Sequence, residues 1–370
     1  MVTVRHGCGG GAYVDSCSDL QCRSACAGAS GRDAAVAGRR GPDALKEQPK
    51  HHETIFLHAG WRCASTYVWS CFRRNPATTS FYEPFGEALA RCSPKRIRRK
   101  TTREWNSRHP PLALPYAEEY RALLWPLWRG VPGYRREFAL ERYFPTAAGV
   151  GPEAAYVARL IRHARRRGTH PVLGFSRSLG RAAALKHALG GYHVLVRRNP
   201  RQQWLSCRSY RGELSLSYFE LCHFLILALA PAGTAARRYA DRLGLPPLPR
   251  GLSQQLRFLQ AALHPWSEEL SYRAFTAVSL LSHAAAEPAV DLVLDVDRLG
   301  GSPRYRAAAR ARVLTDVGLD IDFDDCRVPN HDPAAVPLDF AAVERDVRLS
   351  LLACGADLPS APASVRAVGD

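Results

Sequence analysis

The stretch from Ile55 to Tyr67, Ile-Phe-Leu-His-Ala-Gly-Trp-Arg-Cys-Ala-Ser-Thr-Tyr, limits the folds open to this chain more than any other. Ile55-Phe56-Leu57 is short and apolar, as a buried strand is. A turn holding Gly60 follows, then Arg62, the small Ala64 and the adjacent hydroxyls Ser65 and Thr66. Tyr67 to Phe72 then reads as the first turns of a helix. A strand, a tight loop and a helix N-terminus leave backbone N–H groups without intrahelical acceptors, and the helix dipole favours negative charge beside them. Arg62 adds a full positive charge, and Ser65 and Thr66 add donors for phosphate or sulfate oxygens. Two plainer readings stand beside this one. Ser65 can be an ordinary N-cap, and many strand-to-helix turns bind nothing. The nucleoside-triphosphate pattern ending in Gly-Lys-Ser/Thr is absent, because Gly60 is not followed by it.

The rest of the chain alternates short strands with helical stretches. Thr78 to Tyr82 reads as the second strand, β-branched and aromatic, and runs into Glu83-Pro84-Phe85-Gly86. Pro171 to Phe175, Tyr192 to Val196 and Val290 to Val296 follow as the third, fourth and fifth. Helices are predicted over Glu153 to Arg167, stopped by Gly168, and over Leu179 to Leu189, stopped by Gly190-Gly191. Pro200 opens another, Ser215 to Leu229 is a buried one, and Ser302-Pro303 caps a last one that stops at Gly318. Five strands separated by helices predict an α/β fold built on a mostly parallel sheet. Residues 115–144 read as helical and unusually aromatic, with Tyr116, Tyr120, Trp125, Trp128, Phe138 and Tyr143 among them. Such a stripe is core, or part of a lid in the 91–170 insertion. Residues 1–50 lack apolar periodicity and read as disordered or as a start codon assigned too early. The domain is expected over 51–335, with a C-terminal helix and tail over 336–370.

The net charge of +17 comes almost wholly from arginine, since lysine occurs only at 46, 50, 95, 100 and 186. That balance suits a polyanionic ligand, nucleic acid or an anionic membrane surface, and a codon bias produces it with no ligand at all. The basic run Arg96 to Lys100 reads as a solvated surface segment. Eleven cysteines lie without any Cys-x-x-Cys pair, which points to free thiols in a reducing compartment and to no metal site. No basic start precedes an apolar run, and Glu220 and His223 break the longest apolar stretch, Phe219 to Pro231. A soluble, cytoplasmic protein without a membrane span is expected.

Several residues then fall where open αβ sheets carry ligands, at the C-terminal ends of strands. Glu83 closes the second strand. Arg177 and Arg181 follow the third, either to reach an anionic substrate or to pair with surface acids. Arg198-Asn199-Pro200 closes the fourth, and Ser206 lies eight residues after Arg198.

Two of these segments together resemble the sulfotransferases that use 3′-phosphoadenosine 5′-phosphosulfate (PAPS). Arg62-Cys63-Ala64-Ser65-Thr66 is similar to the family's basic-x-Gly-Ser/Thr-Thr loop, and Arg198-Asn199-Pro200 with Ser206 is similar to its Arg-Asn-Pro segment and later serine. The likeness covers residues 53–211 and, more loosely, 289–318. It implies a three-layer αβα fold of the P-loop NTPase-like sulfotransferase type, closer to the carbohydrate and bacterial branch. It implies PAPS as sulfonate donor, with the loop from Gly60 and Trp61 through Arg62, Cys63, Ala64, Ser65 and Thr66 on the 5′-phosphosulfate. Arg198 and Ser206 would hold the 3′-phosphate, and Glu83 in Tyr-Glu-Pro-Phe looks like the family's carboxylate base, with Arg62 as its catalytic cation. Arg177 and Arg181 are the candidate acceptor contacts. Three departures stand out: Arg62 replaces the usual lysine, Ala64 the usual glycine, and the adenosine-covering Arg-Lys-Gly loop is not recognisable, with Arg327 to His331 as a candidate replacement. The acceptor is then a small molecule or carbohydrate, and neither a metal nor nucleic acid is required. The rival readings are a P-loop kinase, with Asp295 or Asp297 on Mg²⁺, and an arginine-rich nucleic-acid binder without catalysis. Oligomeric state is not readable.

Overall fold

The computed structural model describes residues 53–99, 112–125, 129–146, 149–213 and 215–359. The readings made for residues 1–50, for the end of the basic run and its sequel over 100–111, for Trp128 and for the tail from 360 lie outside these. Five strands, β1 (Ile55–Ala59), β2 (Thr78–Tyr82), β3 (His170–Phe175), β4 (Tyr192–Arg197) and β5 (Leu292–Asp295), form one sheet in the order β2-β3-β1-β4-β5. Every pairing is parallel. The helices are α1 (Ser65–Arg74), α2 (Pro94–Arg99), α3 (Gly151–Arg166), α4 (Ala182–Leu189), α5 (Pro200–Arg208), α6 (Tyr218–Ala228), α7 (Ala235–Arg242), α8 (Leu252–Ala262), α9 (Glu268–Ala286), α10 (Val296–Gly301), α11 (Pro303–Val317) and α12 (Phe340–Ala353).

Successive strand residues face opposite sides of the sheet, which assigns the layers. Ile55, Leu57 and Ala59 of β1, with Val194 and Val196 of β4, pack on α1 and α11 through Trp69, Phe72, Ala309 and Val313. On the other side Phe56, Leu173 and Phe175 meet α3 and α4 through Val157, Leu160 and Leu185. Leu195 and Val293 meet the larger cluster formed by α5, α6 and α9. The result is an α/β fold of three layers, as the alternation of strands and helices predicts.

Two histidines are fully buried in the sheet, His58 on β1 and His193 on β4. His193 Nε2 donates to the Gly190 carbonyl (3.0 Å), so its Nδ1 accepts from His58 Nε2 (2.9 Å). His58 Nδ1 in turn accepts from the Ser178 hydroxyl (2.6 Å). Each ring is thereby satisfied as a neutral tautomer, which is how a buried histidine avoids the cost of an unpaired polar group.

Several boundaries match the turn chemistry. Ser302 accepts from Tyr305 N to cap α11, and Gly318 ends that helix at φ 72°. Ser217 and Glu220 form a reciprocal capping box on α6. One expectation fails. Residues 115–144 hold no α-helix among the described residues, only the 3-10 turns Glu118–Leu123 and Arg136–Phe138. Pro132 interrupts the helical hydrogen bonds, and Gly130 and Gly133 take φ of 89° and 84°, outside a right-handed helix. Its aromatic side chains Tyr120, Phe138 and Tyr143 are buried in the core, so of the two readings offered for this stripe, core describes these three.

Candidate functional site

The chain leaves β1 toward β2 on one side of the sheet and leaves β4 toward β5 on the other. Their C-terminal turns therefore lead to opposite edges of the sheet, and the place between two such turns is the usual ligand position in open parallel sheets. The turn after β1 is built tightly. A Cβ on Gly60 would lie 2.4 Å from Gln203 Nε2, which donates to the Trp61 carbonyl (2.8 Å), so a larger residue there would have to displace that amide and its bond. Arg62 and Ala64 adopt left-handed φ of 62° and 53°. The only other described non-glycine residue with positive φ is Glu83, at 47°. Such conformations cost about 1–3 kcal/mol each and persist where surrounding structure holds them. All three fall at the ends of β1 and β2.

Ala64, not Ser65, occupies the N-cap position of α1, and no side chain caps the helix. The first amides of α1 are therefore left for another acceptor. Cys63 turns its thiol into the sheet, donating to the Val196 carbonyl (3.1 Å), and burial pushes its pKa up to about 12. It contributes backbone, not a reactive sulfur. Arg62 Nε donates to Ser206 Oγ on α5 (3.2 Å), and its guanidinium lies over the rings of Tyr210 (4.5 Å) and Phe219 (5.5 Å). The fold thus joins the two sequence segments that were expected to share a ligand.

Arg198 is nearby but enclosed. It is buried, donates to the Arg62 carbonyl (3.0 Å) and to the Pro329 carbonyl, and its Nε lies 3.6 Å from Asp297 without a hydrogen-bond partner. Burial lowers its pKa, with Asp297 opposing that shift. Residues 327–331 lie over it, because Gln202 on α5 bonds both the backbone N–H and the carbonyl of His331 (2.7 and 2.8 Å). The acids of the kinase reading are engaged as well. Asp295 caps α10, and Asp297 accepts from Asn199 N (2.6 Å).

A cavity of about 600 Å³ opens on the β2 and β3 side of this loop. Trp61, Arg62, Ser65, Thr66, Glu83 and Arg177 line it, whereas Gly60, Cys63, Ala64, Arg181, Arg198 and Ser206 do not. Glu83 pairs with Arg177 Nη1 (2.8 Å), and Arg177 Nη2 pairs with Glu87 (2.9 Å). Tyr218 donates to Glu87 (3.0 Å), and the Arg177 guanidinium lies 5.3 Å from the Trp61 ring. Removal from water raises the Glu83 pKa above the ordinary carboxylate value, against the pull of Arg177 and Ser176. A carboxylate whose pKa burial raises, facing a cavity, can receive a proton from a ligand there.

Arg181 corrects one expectation. Its side chain has no exposed surface and is spent on Glu153 (3.3 Å) and on the carbonyls of Phe138 and Arg177. It holds the layers together behind the cavity and does not reach a ligand there. Sequence reading missed Glu87, Ser176, Tyr210, Tyr218 and Phe219, all on the cavity wall. Glu87 was open to discovery, because it follows Glu83 by one helical turn's spacing in the same post-strand segment. Tyr218 and Phe219 read only as the start of an apolar helix. No helix among the described residues is long and apolar enough to cross a membrane, and no group of metal-ligating side chains assembles among them. No family model matches the chain, and neither a curated protein nor a solved structure matches it.

Proposed function

We propose that this chain transfers a sulfonate group from PAPS to an acceptor hydroxyl, in the manner of the sulfotransferases its sequence resembles. One observation carries the reading: Arg62, Ser65 and Thr66 from the turn after β1, and Glu83 from the turn after β2, face a single cavity. Donors for an anion and a base for a hydroxyl are then within one enclosure.

The residues fit such a donor. The uncapped amides of α1, with Ser65 and Thr66, hold its phosphosulfate end, and Arg62 balances the charge that grows on the leaving oxygen. Arginine performs this electrostatic role but gives up no proton near neutral pH. Ser206, bonded to Arg62, and Arg198, whose Nε is an orphaned buried donor, lie outside the cavity lining and would meet the 3′-phosphate only where the donor extends past Arg62. PAPS supplies a sulfonate activated by a phosphate leaving group. Glu83 receives the proton of the acceptor hydroxyl, and Arg177 with Glu87 fixes its position. Positioning and charge balance carry most of the rate in transfers of this type.

The test is sulfonate transfer from ³⁵S-labelled PAPS to a panel of hydroxyl compounds, with a parallel thermal shift comparing 3′-phosphoadenosine 5′-phosphate (PAP) and Mg·ATP. Label transfer and stabilisation by PAP alone are expected. Stabilisation by Mg·ATP alone returns the kinase reading.

A further inference from the structure

The cavity's chemistry changes from its inner end to its rim. Glu83 and Arg177 are largely buried, with side-chain exposures of 14% and 8%. Arg96, which also lines the cavity, is exposed. Most of the lining surface is apolar, with Leu89, Cys92, Ile97 and Phe219 among its residues. A sugar carries a hydroxyl on nearly every ring carbon, and each one buried without a partner costs binding free energy. The apolar surface that makes up most of this lining offers them no partner.

The three cavity-lining arginines are also unequal. Arg177 is neutralised by Glu83 and Glu87, and Arg62 is bonded to Ser206 and stacked on Tyr210. Arg96 has no acidic partner among the described residues. Its own backbone N–H is tied to Ser93 Oγ (3.2 Å), which fixes where the side chain starts. A cation at the rim of an apolar cavity is a recognition element for an acid group on a ligand whose body is apolar.

We infer that the acceptor is an amphiphile: a hydroxyl at the Glu83 end, an apolar body along the wall, and an acid group, carboxylate or similar, held at the rim by Arg96. The inference rests on the sulfonate-transfer reading for the role of the hydroxyl, but the binding it describes does not need the donor.

Calorimetric titration of the full chain without nucleotide separates the two. The probes are 12-hydroxydodecanoate, 1,12-dodecanediol and maltose. The hydroxy acid is expected to bind about fivefold tighter than the diol, the worth of one exposed ion pair, and maltose to give no heat. Arg96→Gln, an exposed substitution checked by its circular dichroism, should close the gap between acid and diol and leave the diol unchanged. Equal affinities in the unaltered chain, an unchanged gap in Arg96→Gln, preference for maltose, or no binding of either linear probe overturns the inference. A chain that binds the hydroxy acid but not PAP keeps this inference as a binding site and sinks the sulfonate-transfer reading alone.

Discussion

Arg177 and Arg181 lie four residues apart on the turn after β3, and each meets carboxylates. Their surroundings differ. Arg181 is sealed behind the sheet, its hydrogen bonds directed at Glu153 and two carbonyls, with Arg142 bracing the same carboxylate at 2.6 Å. Each leaves its buried Nε without a partner, and Arg177 differs in facing a cavity. The first arrangement is enclosed, with two arginines on one buried carboxylate. The second keeps a carboxylate at the surface of a cavity in a state that a ligand can alter. Residue type and spacing are alike in the two, and only the fold separates them.

Substitutions break this comparison in order of size. Arg181→Met should cost about 3 kcal/mol of folding stability, because it strands Glu153 away from water with Arg142 as its remaining partner. Urea unfolding of the variant measures it, and Arg177→Met should lose less than half as much. Glu83→Gln should reverse the pattern: sulfonate transfer falls by about 10²–10⁴-fold, the usual worth of a general base, with the unfolding midpoint almost unchanged. Arg177→Gln sharpens the point through pH. Arg177 holds the Glu83 pKa down against burial, so its removal should move the acid limb of the rate profile to higher pH.

A smaller effect belongs to the buried histidines. Burial lowers the pKa of His58 well below its ordinary value and brings His193 and His223 to about 4. The unfolded chain takes up these protons near pH 6.5. Stability is therefore complete above that pH and should be lost as pH falls from 6.5 toward 4. Thermal unfolding across that window checks the sign, which reverses if these rings are protonated in the folded chain.

Much of the fold was legible because its signals are local. Apolar runs of strand length, Gly168, Gly190 and Gly318 as stops, and Ser302-Pro303 as a start each act within a few residues. The 115–144 segment misled because aromatic spacing resembles a helix face, while its prolines and glycines decide the backbone. In the site, Arg62, Ser65, Thr66 and Glu83 were legible since each ends or follows a strand. Arg181 was not, because its distinction from Arg177 depends on what α3 brings behind it, Glu153, which no nearby residue announces. Tyr210 and Phe219 escaped notice for the same reason. The smallest expected effect tests this local logic: Ala64→Gly relieves a left-handed alanine worth about 1 kcal/mol, raising the melting temperature by about 2 °C.

The central claim is that the turns after β1 and β4 together hold a nucleotide carrying a 3′-phosphate. Calorimetric titration with PAP and with AMP tests it directly. The account predicts that PAP binds at least about tenfold tighter, the worth of one charge-assisted contact, and that Arg198→Ala brings PAP down to the affinity of AMP. Equal binding of both nucleotides to the unaltered chain, or binding of neither, contradicts it.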